Sequence, residues 1–194
     1  MKIILASGSG VRKKILDKYN IESDVVVSNV DEEEIKESLL SENATPLIIS
    51  KNLAEIKSTR VSSKYPEHLV LGADSVISLN NKLINKPKSR KEALEILKEL
   101  NNSKHYLISS VCISKNGAMI WNHSDQSELK MKNFKEEELI KYLDKIKTET
   151  LLRYGVYQVE ADGLNLFEYI KGDQDSIMGL PIKQIMHYIK QYKK

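Results

Sequence analysis

The pattern of apolar positions in the N-terminal part of the chain predicts two strands and two helices. Residues 2–6 are predicted to form a short buried strand. A loop of serines and glycines follows, and apolar residues then recur at helical intervals over residues 11–19. A β-branched run within residues 24–28 predicts a second strand. The acidic residues 31–34 then predict a loop, and Pro46 predicts the start of a second helix.

The middle of the chain predicts two hairpins separated by a helix. Residues 68–79 alternate as in a central strand, and a turn of two asparagines leads into a short strand at residues 82–84. Ser89 predicts the N-cap of the following helix. Strands within residues 106–114 and 118–121 flank an Asn-Gly pair, which is a strong signal for a hairpin turn.

The C-terminal part adds a helix over residues 136–147, a strand over residues 163–170 and a last helix from Pro181. Some predicted strands are joined by hairpins and others through helices. This order predicts an α/β fold with a central mixed β-sheet and flanking helices. At this length we expect a single domain over residues 1–194.

Composition excludes several classes of protein. Hydrophobic residues make up 41% and charged residues 29%, as in ordinary globular proteins, and no apolar stretch is long enough to span a membrane. The first apolar run is too short for a signal peptide, so we expect a cytoplasmic protein. The net charge of +3 comes from dispersed lysines, which argues against nucleic acid as a partner. Cys112 is the only cysteine, which excludes an intramolecular disulfide and a thiolate zinc cluster.

The loop at Ser7, Ser9 and Arg12 could bind phosphate. It combines hydroxyl groups, glycine backbone amides, a predicted helix N-terminus and a cation within one turn. The P-loop signature is absent, and an ordinary turn from strand to helix remains the alternative.

Other candidates are carboxylates and lysines elsewhere in the chain. Asp74 follows an apolar run and is expected at the end of a strand, where it could hold a metal or activate water, or simply form a turn. Lys86 precedes a proline that keeps it extended, and Lys57 lies on a predicted helix. Either lysine could bind phosphate or be a solvated surface residue. The acidic run could likewise lend a carboxylate to a divalent cation or be a solvated loop.

The ordered set of segments resembles the Maf family of nucleoside triphosphate pyrophosphatases nearly from end to end. The matching segments are Leu5-Ala6-Ser7-Gly8-Ser9 with Arg12, Asp31-Glu32, Leu53-Ala54 with Lys57, Gly72-Ala73-Asp74-Ser75, Lys86-Pro87, His105, Tyr154-Gly155-Val156-Tyr157 and Gly179-Leu180-Pro181. The resemblance implies an elongated α/β fold with a deep nucleotide-binding cleft, often dimeric. It implies hydrolysis of a nucleoside triphosphate to the monophosphate and pyrophosphate with a divalent cation, Mg²⁺ or Mn²⁺.

The resemblance also implies residue roles. Asp74 would be the proton acceptor and, with Glu32 or Glu33, a metal ligand. The residues implied to contact the substrate phosphates are Ser7, Ser9, Arg12, Lys57 and Lys86. These roles agree with the chemistry that each residue could perform by itself.

Three positions resemble the determinants of base specificity in that family, namely Val11, Ser75 and Glu160. Val11 stands where the family usually has Arg or Trp, so it offers neither a polar contact nor a large stacking surface. Glu160 matches the branch acting on 7-methyl-GTP, whereas the branch acting on dTTP and UTP typically has Gln. A carboxylate can accept hydrogen bonds from guanine, so we expect a modified guanine nucleotide, with dTTP or UTP as the alternative.

Two other hypotheses of function are alternatives to an enzyme that hydrolyses nucleoside triphosphates. A non-catalytic Maf-like protein would act through partner binding in septum formation, but it would need neither a carboxylate nor cations at these positions. A nucleic-acid or nucleotide-binding module would use the lysine surface, but the chain lacks an arginine and aromatic platform.

Overall fold

The computed structural model describes residues 2–159 and 162–192. These residues form seven strands: β1 (Ile3–Leu5), β2 (Ser23–Val25), β3 (Val70–Leu79), β4 (Lys82–Ile84), β5 (Lys104–Lys115), β6 (Ala118–Met131) and β7 (Phe167–Lys171). They also form eight α-helices: α1 (Gly10–Lys18), α2 (Glu32–Ser41), α3 (Pro46–Ser62), α4 (Arg90–Leu100), α5 (Glu136–Asp144), α6 (Thr148–Tyr154), α7 (Gln174–Ile177) and α8 (Ile182–Tyr192). A 3-10 helix covers Asp162–Leu166.

The seven strands form one sheet in the order β2-β1-β3-β5-β6-β7, with β4 paired to β3. Strand β1 is parallel to both neighbours, since Ile4 is in register with Asp24 on β2 and with Val70 on β3. The pairs β3–β4 and β6–β7 are antiparallel. The sheet is therefore mixed and helices flank it, which confirms the predicted α/β class.

The chain forms two compact units. The first contains β1, β2 and α1 to α3, together with Ile108–Gln126 and the segment from Asp173 onward. Its main core packs apolar side chains of α1 and α8 against β1 and β3. The second comprises Ile77–Leu107 and Ser127–Gly172, and its core gathers α4, α5 and α6 around apolar residues of β6. Each unit therefore has an apolar core of its own.

Helix α2 corrects the prediction of a loop at residues 31–34. Asp31 is the N-cap of this helix, and its side chain accepts a hydrogen bond from the backbone amide of Glu34 at 3.1 Å. The three glutamates that follow occupy the first helical turn, where their negative charge complements the positive end of the helix dipole. The acidic run is therefore the start of a helix.

Two other boundaries differ from the predictions. Strand β6 continues to Met131, well beyond residues 118–121, because many of its side chains are polar and half-exposed and so lack a clear apolar pattern. The strand predicted over residues 163–170 begins only at Phe167, after the 3-10 helix. The prediction over residues 136–147 is confirmed for α5, while α6 was not predicted.

A further boundary differs, because β2 covers only Ser23–Val25 and not the predicted residues 24–28. The other predicted elements are confirmed, including the hairpin at Asn116-Gly117 and the Ser89 cap of α4. Among the described residues, none of the helices combines the length and apolar character needed to cross a membrane. Cys112 is buried in β5, and burial raises the pKa of its thiol, as expected for a small core residue. The elongated shape, the deep cleft and the single domain stay predictions.

Candidate active site

Asp74 lies in the interior of β3, which runs from Val70 to Leu79. The strand predicted over residues 68–79 is therefore confirmed, whereas the separate expectation that a strand ends at this aspartate is wrong. The physical reason is that its side chain, only 8% exposed, pairs with a lysine instead of water, so a polar residue here does not end the strand.

Lys57 connects two carboxylates. Its Nζ lies 2.7 Å from Asp74 Oδ1 and 2.7 Å from Glu32 Oε1, and its side chain is 7% exposed. Buried charges are tolerated when they are paired with opposite charges. The arrangement is thus a row of carboxylate, ammonium and carboxylate in which Lys57 and Asp74 are buried, whereas the Glu32 side chain is 35% exposed.

Gly72 allows α3 to approach β3 closely enough for this pairing. A Cβ atom at Gly72 would lie 2.8 Å from the backbone nitrogen of Ser58 and 2.9 Å from its Cβ. Both are shorter than real Cβ contacts, so a larger residue would push helix and strand apart. The helix therefore carries Lys57 to Asp74 because position 72 has no side chain.

The second oxygen of the Asp74 carboxylate has no hydrogen-bond partner although it is buried. The backbone carbonyl of the same residue accepts a hydrogen bond from Ser50 Oγ at 3.3 Å. A buried acceptor without a partner is costly, so an unpaired Oδ2 points to a ligand that binds there.

The loop between β1 and α1 is organised by its two serines. Ser9 is the N-cap of α1, and its Oγ accepts a long hydrogen bond of 3.5 Å from the backbone amide of Arg12. Ser7 Oγ accepts from the backbone amide of Ser9 at 3.3 Å. The loop therefore leads directly into the N-terminus of a nine-residue helix, where backbone amides favour anions.

The guanidinium of Arg12 makes four hydrogen bonds within the first unit. Nη1 donates to Ser7 Oγ at 3.0 Å and to the Ala73 carbonyl at 2.9 Å. Nη2 donates to Ser75 Oγ at 3.1 Å, and Nε donates to the Gly179 carbonyl at 2.9 Å. Arg12 therefore links the Ser7 loop, strand β3 and the turn before α8.

Burial lowers the pKa of Arg12, while the negative charges of Asp74 and Glu32 oppose that shift. The guanidinium stays charged at neutral pH because its ordinary pKa is far above that range. The site thus contains two cations and two carboxylates.

Gly179 shapes the turn that receives Arg12. Its φ of +95° lies in the left-handed region, and a Cβ atom there would come within 3.0 Å of Ser75 Oγ. Ser75 Oγ also shares a hydrogen bond of 3.0 Å with Ser109 Oγ on β5. Position 179 therefore needs glycine both for its backbone and for the space beside Arg12.

The two glutamates predicted as metal ligands form ion pairs with different lysines. Glu32 pairs with Lys57, whereas Glu33 is paired with Lys36 at 3.0 Å and has a side chain 56% exposed. Among residues 2–159 and 162–192, no three His, Cys, Asp or Glu side chains are grouped so as to hold a metal ion. Two carboxylates fit Mg²⁺ or Mn²⁺ nonetheless, because Mg²⁺ is usually bound by one or two carboxylates together with substrate phosphates.

A model of the Maf-like protein family matches residues 2–192. This chain belongs to the Maf-like family. A Pelagibacter ubique protein named nucleoside triphosphate pyrophosphatase is 58% identical to this Maf-like protein over 192 residues, covering 99% of this chain and 98% of that protein. A Ruegeria protein of the same name is 35% identical, with 96% and 94% covered. A Rhizobium etli protein named 7-methyl-GTP pyrophosphatase is 31% identical, with 98% and 96% covered.

The structure brings most of the predicted site residues of this Maf-like protein together in its first unit. They are Ser7, Ser9, Arg12, Glu32, Lys57, Asp74 and Ser75, joined by the contacts described above. Val11 is half-buried and packs against the apolar core of that unit. Lys86 is exposed between β4 and α4 in the second unit, and Glu160 lies outside the described residues.

His105 belongs to the core of the second unit. Its Nε2 is 2.9 Å from Tyr157 Oη, and burial lowers the pKa of the imidazole to about 4. The ring is therefore neutral near pH 7, which suits a core histidine.

Several supporting residues were not predicted. Ser50 and Ser109 bond to Asp74 and Ser75, and the carbonyl of Gly179 anchors Arg12. A buried serine on a helix, such as Ser50, or on a strand, such as Ser109, looks like any other small residue in the sequence, so no local signal marks these two. Gly179 belongs to a segment that matches the family and precedes the predicted last helix, but the hydrogen bond that its carbonyl accepts from Arg12 is a tertiary contact.

Proposed function

We propose that this protein hydrolyses a nucleoside triphosphate to the nucleoside monophosphate and pyrophosphate. The observation that carries the proposal is the buried pair of Lys57 and Asp74 next to the partly exposed Glu32, in which Asp74 Oδ2 has no partner. The names of the relatives support the same activity for this chain.

Asp74 is the proposed proton acceptor. A water molecule attacks the α-phosphorus, and the Asp74 carboxylate takes a proton from it. A bond forms between the water oxygen and the α-phosphorus, while the bond to the oxygen that bridges to the β-phosphate breaks and pyrophosphate leaves. The unpaired oxygen of this buried carboxylate supports the role.

Cations and backbone amides would neutralise the triphosphate. Lys57 is close enough to Asp74 to donate to a phosphate whose α-phosphorus lies near that carboxylate. The amides at the N-terminus of α1 and the hydroxyls of Ser7 and Ser9 are further donors. Arg12 would hold this loop in place through Ser7 while adding positive charge.

A divalent cation would be held by Asp74 and Glu32 together with phosphate oxygens. When bound, it supplies positive charge that stabilises the negative phosphoryl oxygens. The two carboxylates fit such an ion by their hard oxygen atoms, since Glu32 Oε1 and Asp74 Oδ1 already face one positive charge, that of Lys57.

The proposed preferred substrate is 7-methyl-GTP, with dTTP or UTP as the alternative. Support comes from the identity of Glu160 and from a relative named 7-methyl-GTP pyrophosphatase. The apolar Val11 adds no polar contact to the base.

The activity is tested by pyrophosphate release from canonical and methylated nucleoside triphosphates, with Mg²⁺ or Mn²⁺ added. We expect turnover that requires the metal, and we expect Asp74→Asn to lower kcat by about 100-fold or more through loss of the base. Glu37→Gln is the matched control, because it removes a carboxylate from an exposed position further along α2 and should leave kcat within about twofold. Equal turnover by folded Asp74→Asn and wild type would contradict the role of Asp74.

A further inference from the structure

Lys57 occupies the position in which a cation can contact both carboxylates of the site. Its ammonium is equidistant from Glu32 Oε1 and Asp74 Oδ1, at 2.7 Å from each. The lysine comes from α3, whereas the carboxylates come from α2 and β3, so three elements converge on one charge.

We propose that Lys57 is a built-in counter-cation that keeps a divalent ion off Glu32 and Asp74 until a nucleotide binds. The proposal rests on the proposed function, since it concerns how metal and nucleotide enter the same site. A lysine and a divalent cation compete here for the same carboxylate oxygens.

The charges of the site favour this competition. Glu32 and Asp74 contribute two negative charges, and Lys57 and Arg12 contribute two positive ones, all within electrostatic reach of one another. If a divalent ion bound while Lys57 and Arg12 stayed in place, the site would carry a net charge of +2 around the buried side chains of Lys57 and Asp74. Uncompensated charge is strongly unfavourable where water is excluded.

A triphosphate reverses that balance. Its negative oxygens can accept hydrogen bonds from Lys57, so the ammonium can leave the carboxylates for the phosphates. Glu32 Oε1 and Asp74 Oδ1 then become available to an ion that arrives with the nucleotide, beside the already unpaired Asp74 Oδ2. Metal and nucleotide therefore assist each other's binding, and this coupling is reciprocal.

The test measures Mn²⁺ binding to the full chain without nucleotide, through the loss of the six-line paramagnetic resonance signal of free Mn²⁺. We expect Lys57→Met to bind Mn²⁺ about tenfold or more tightly than wild type, because the competing charge is gone. The matched control is Lys51→Met, which removes the same charge from an exposed position on the same helix. It should bind Mn²⁺ as wild type does.

A second substitution ties the tighter binding to this site. Lys57→Met combined with Asp74→Asn should lose the increase, because Asp74 provides part of the ion's coordination. Circular dichroism and thermal melting establish that each variant is folded. If Lys57→Met does not fold, Lys57→Gln replaces it, since this neutral polar side chain should also bind Mn²⁺ more tightly than wild type.

Equal Mn²⁺ affinity in wild type and in the folded neutral variant would overturn the role of Lys57. The role would also be overturned if Lys51→Met bound Mn²⁺ as tightly as Lys57→Met does. The same holds if Lys57→Met kept its higher affinity after Asp74→Asn was added. Pyrophosphate release by the wild type tests the proposed function separately. If the wild type shows metal-dependent turnover but the Lys57 variant does not bind Mn²⁺ more tightly, the counter-cation role alone is overturned. If the variant does bind Mn²⁺ more tightly but the wild type cleaves no nucleotide, the proposed enzyme activity alone is overturned.

Discussion

At the scale of single residues, the two cations of the site have different shapes and different partners. Arg12 directs a planar fork of donors to Ser7, Ser75 and two backbone carbonyls. Lys57 presents a compact charge to two carboxylates. Because a guanidinium fixes several acceptors at once and an ammonium can change partners, the first suits a structural link and the second suits a mobile charge.

Replacing Arg12 with lysine should therefore destabilise the protein although the charge is kept. An ammonium cannot reach all four acceptors, and those left unpaired are partly buried. We expect the free energy of unfolding to fall by about 2 to 4 kcal/mol. Denaturant unfolding followed by circular dichroism measures it.

Arg60→Lys is the matched control, because Arg60 is exposed near the end of α3. Its free energy of unfolding should stay within about 0.5 kcal/mol of wild type. Equal stability of the two variants would show that the hydrogen bonds of Arg12 do not hold the loop, the strand and the turn together.

At the scale of elements, the contact between α3 and β3 sets the distance from Lys57 to Asp74. Helix α3 begins at Pro46 behind a Thr45 cap, and its buried face includes Leu53, Ala54 and Ser58. Gly72 lies opposite that face on β3. Helix packing therefore determines the geometry of a buried ion pair.

Gly72→Ala should disturb this contact. The added methyl would overlap the backbone of α3, so we expect a loss of about 1 to 3 kcal/mol in the free energy of unfolding. Pyrophosphate release should fall with it because Lys57 moves relative to Asp74. Thermal or chemical unfolding and an activity assay on the folded variant measure the two effects.

Gly10→Ala is the stability control for that change. A Cβ atom at Gly10 would have no neighbour within 4 Å, and the residue lies in the first turn of α1. Its stability should equal or exceed that of wild type by up to about 1 kcal/mol. A Gly72→Ala variant as stable as this control would contradict the close approach of helix and strand.

The elements that the sequence predicted well are those whose signals are local. The cap and apolar spacing of α4 and the Asn-Gly turn lie within a few residues of one another. Helix α2 was missed because its first turn is a run of glutamates that also suits a solvated loop. The position of Asp74 inside β3 was missed because its partner, Lys57, is brought there by tertiary structure.

At the scale of the whole molecule, three of the four boundaries between the two compact units fall inside β3, β5 and β6, where no linker composition marks them, and the fourth follows Gly172 after β7. The fold class was predictable, because few architectures accommodate a chain in which some strands are joined by hairpins and others through helices. The candidate site residues were proposed from their residue types and from the family resemblance, but the hydrogen bonds and ion pairs that Arg12 and Lys57 make depend on packing. The homodimer, the cytoplasmic location and the absence of a nucleic-acid partner stay predictions.

The position at which the triphosphate is cleaved tests the proposed hydrolysis to monophosphate and pyrophosphate. Turnover of a nucleoside triphosphate in ¹⁸O-labelled water, analysed by mass spectrometry, shows which phosphorus water attacks. We expect one ¹⁸O atom in the nucleoside monophosphate and none in the pyrophosphate, because in the proposed mechanism water attacks the α-phosphorus with Asp74 as the proton acceptor. Label in pyrophosphate, or release of labelled orthophosphate, would contradict it.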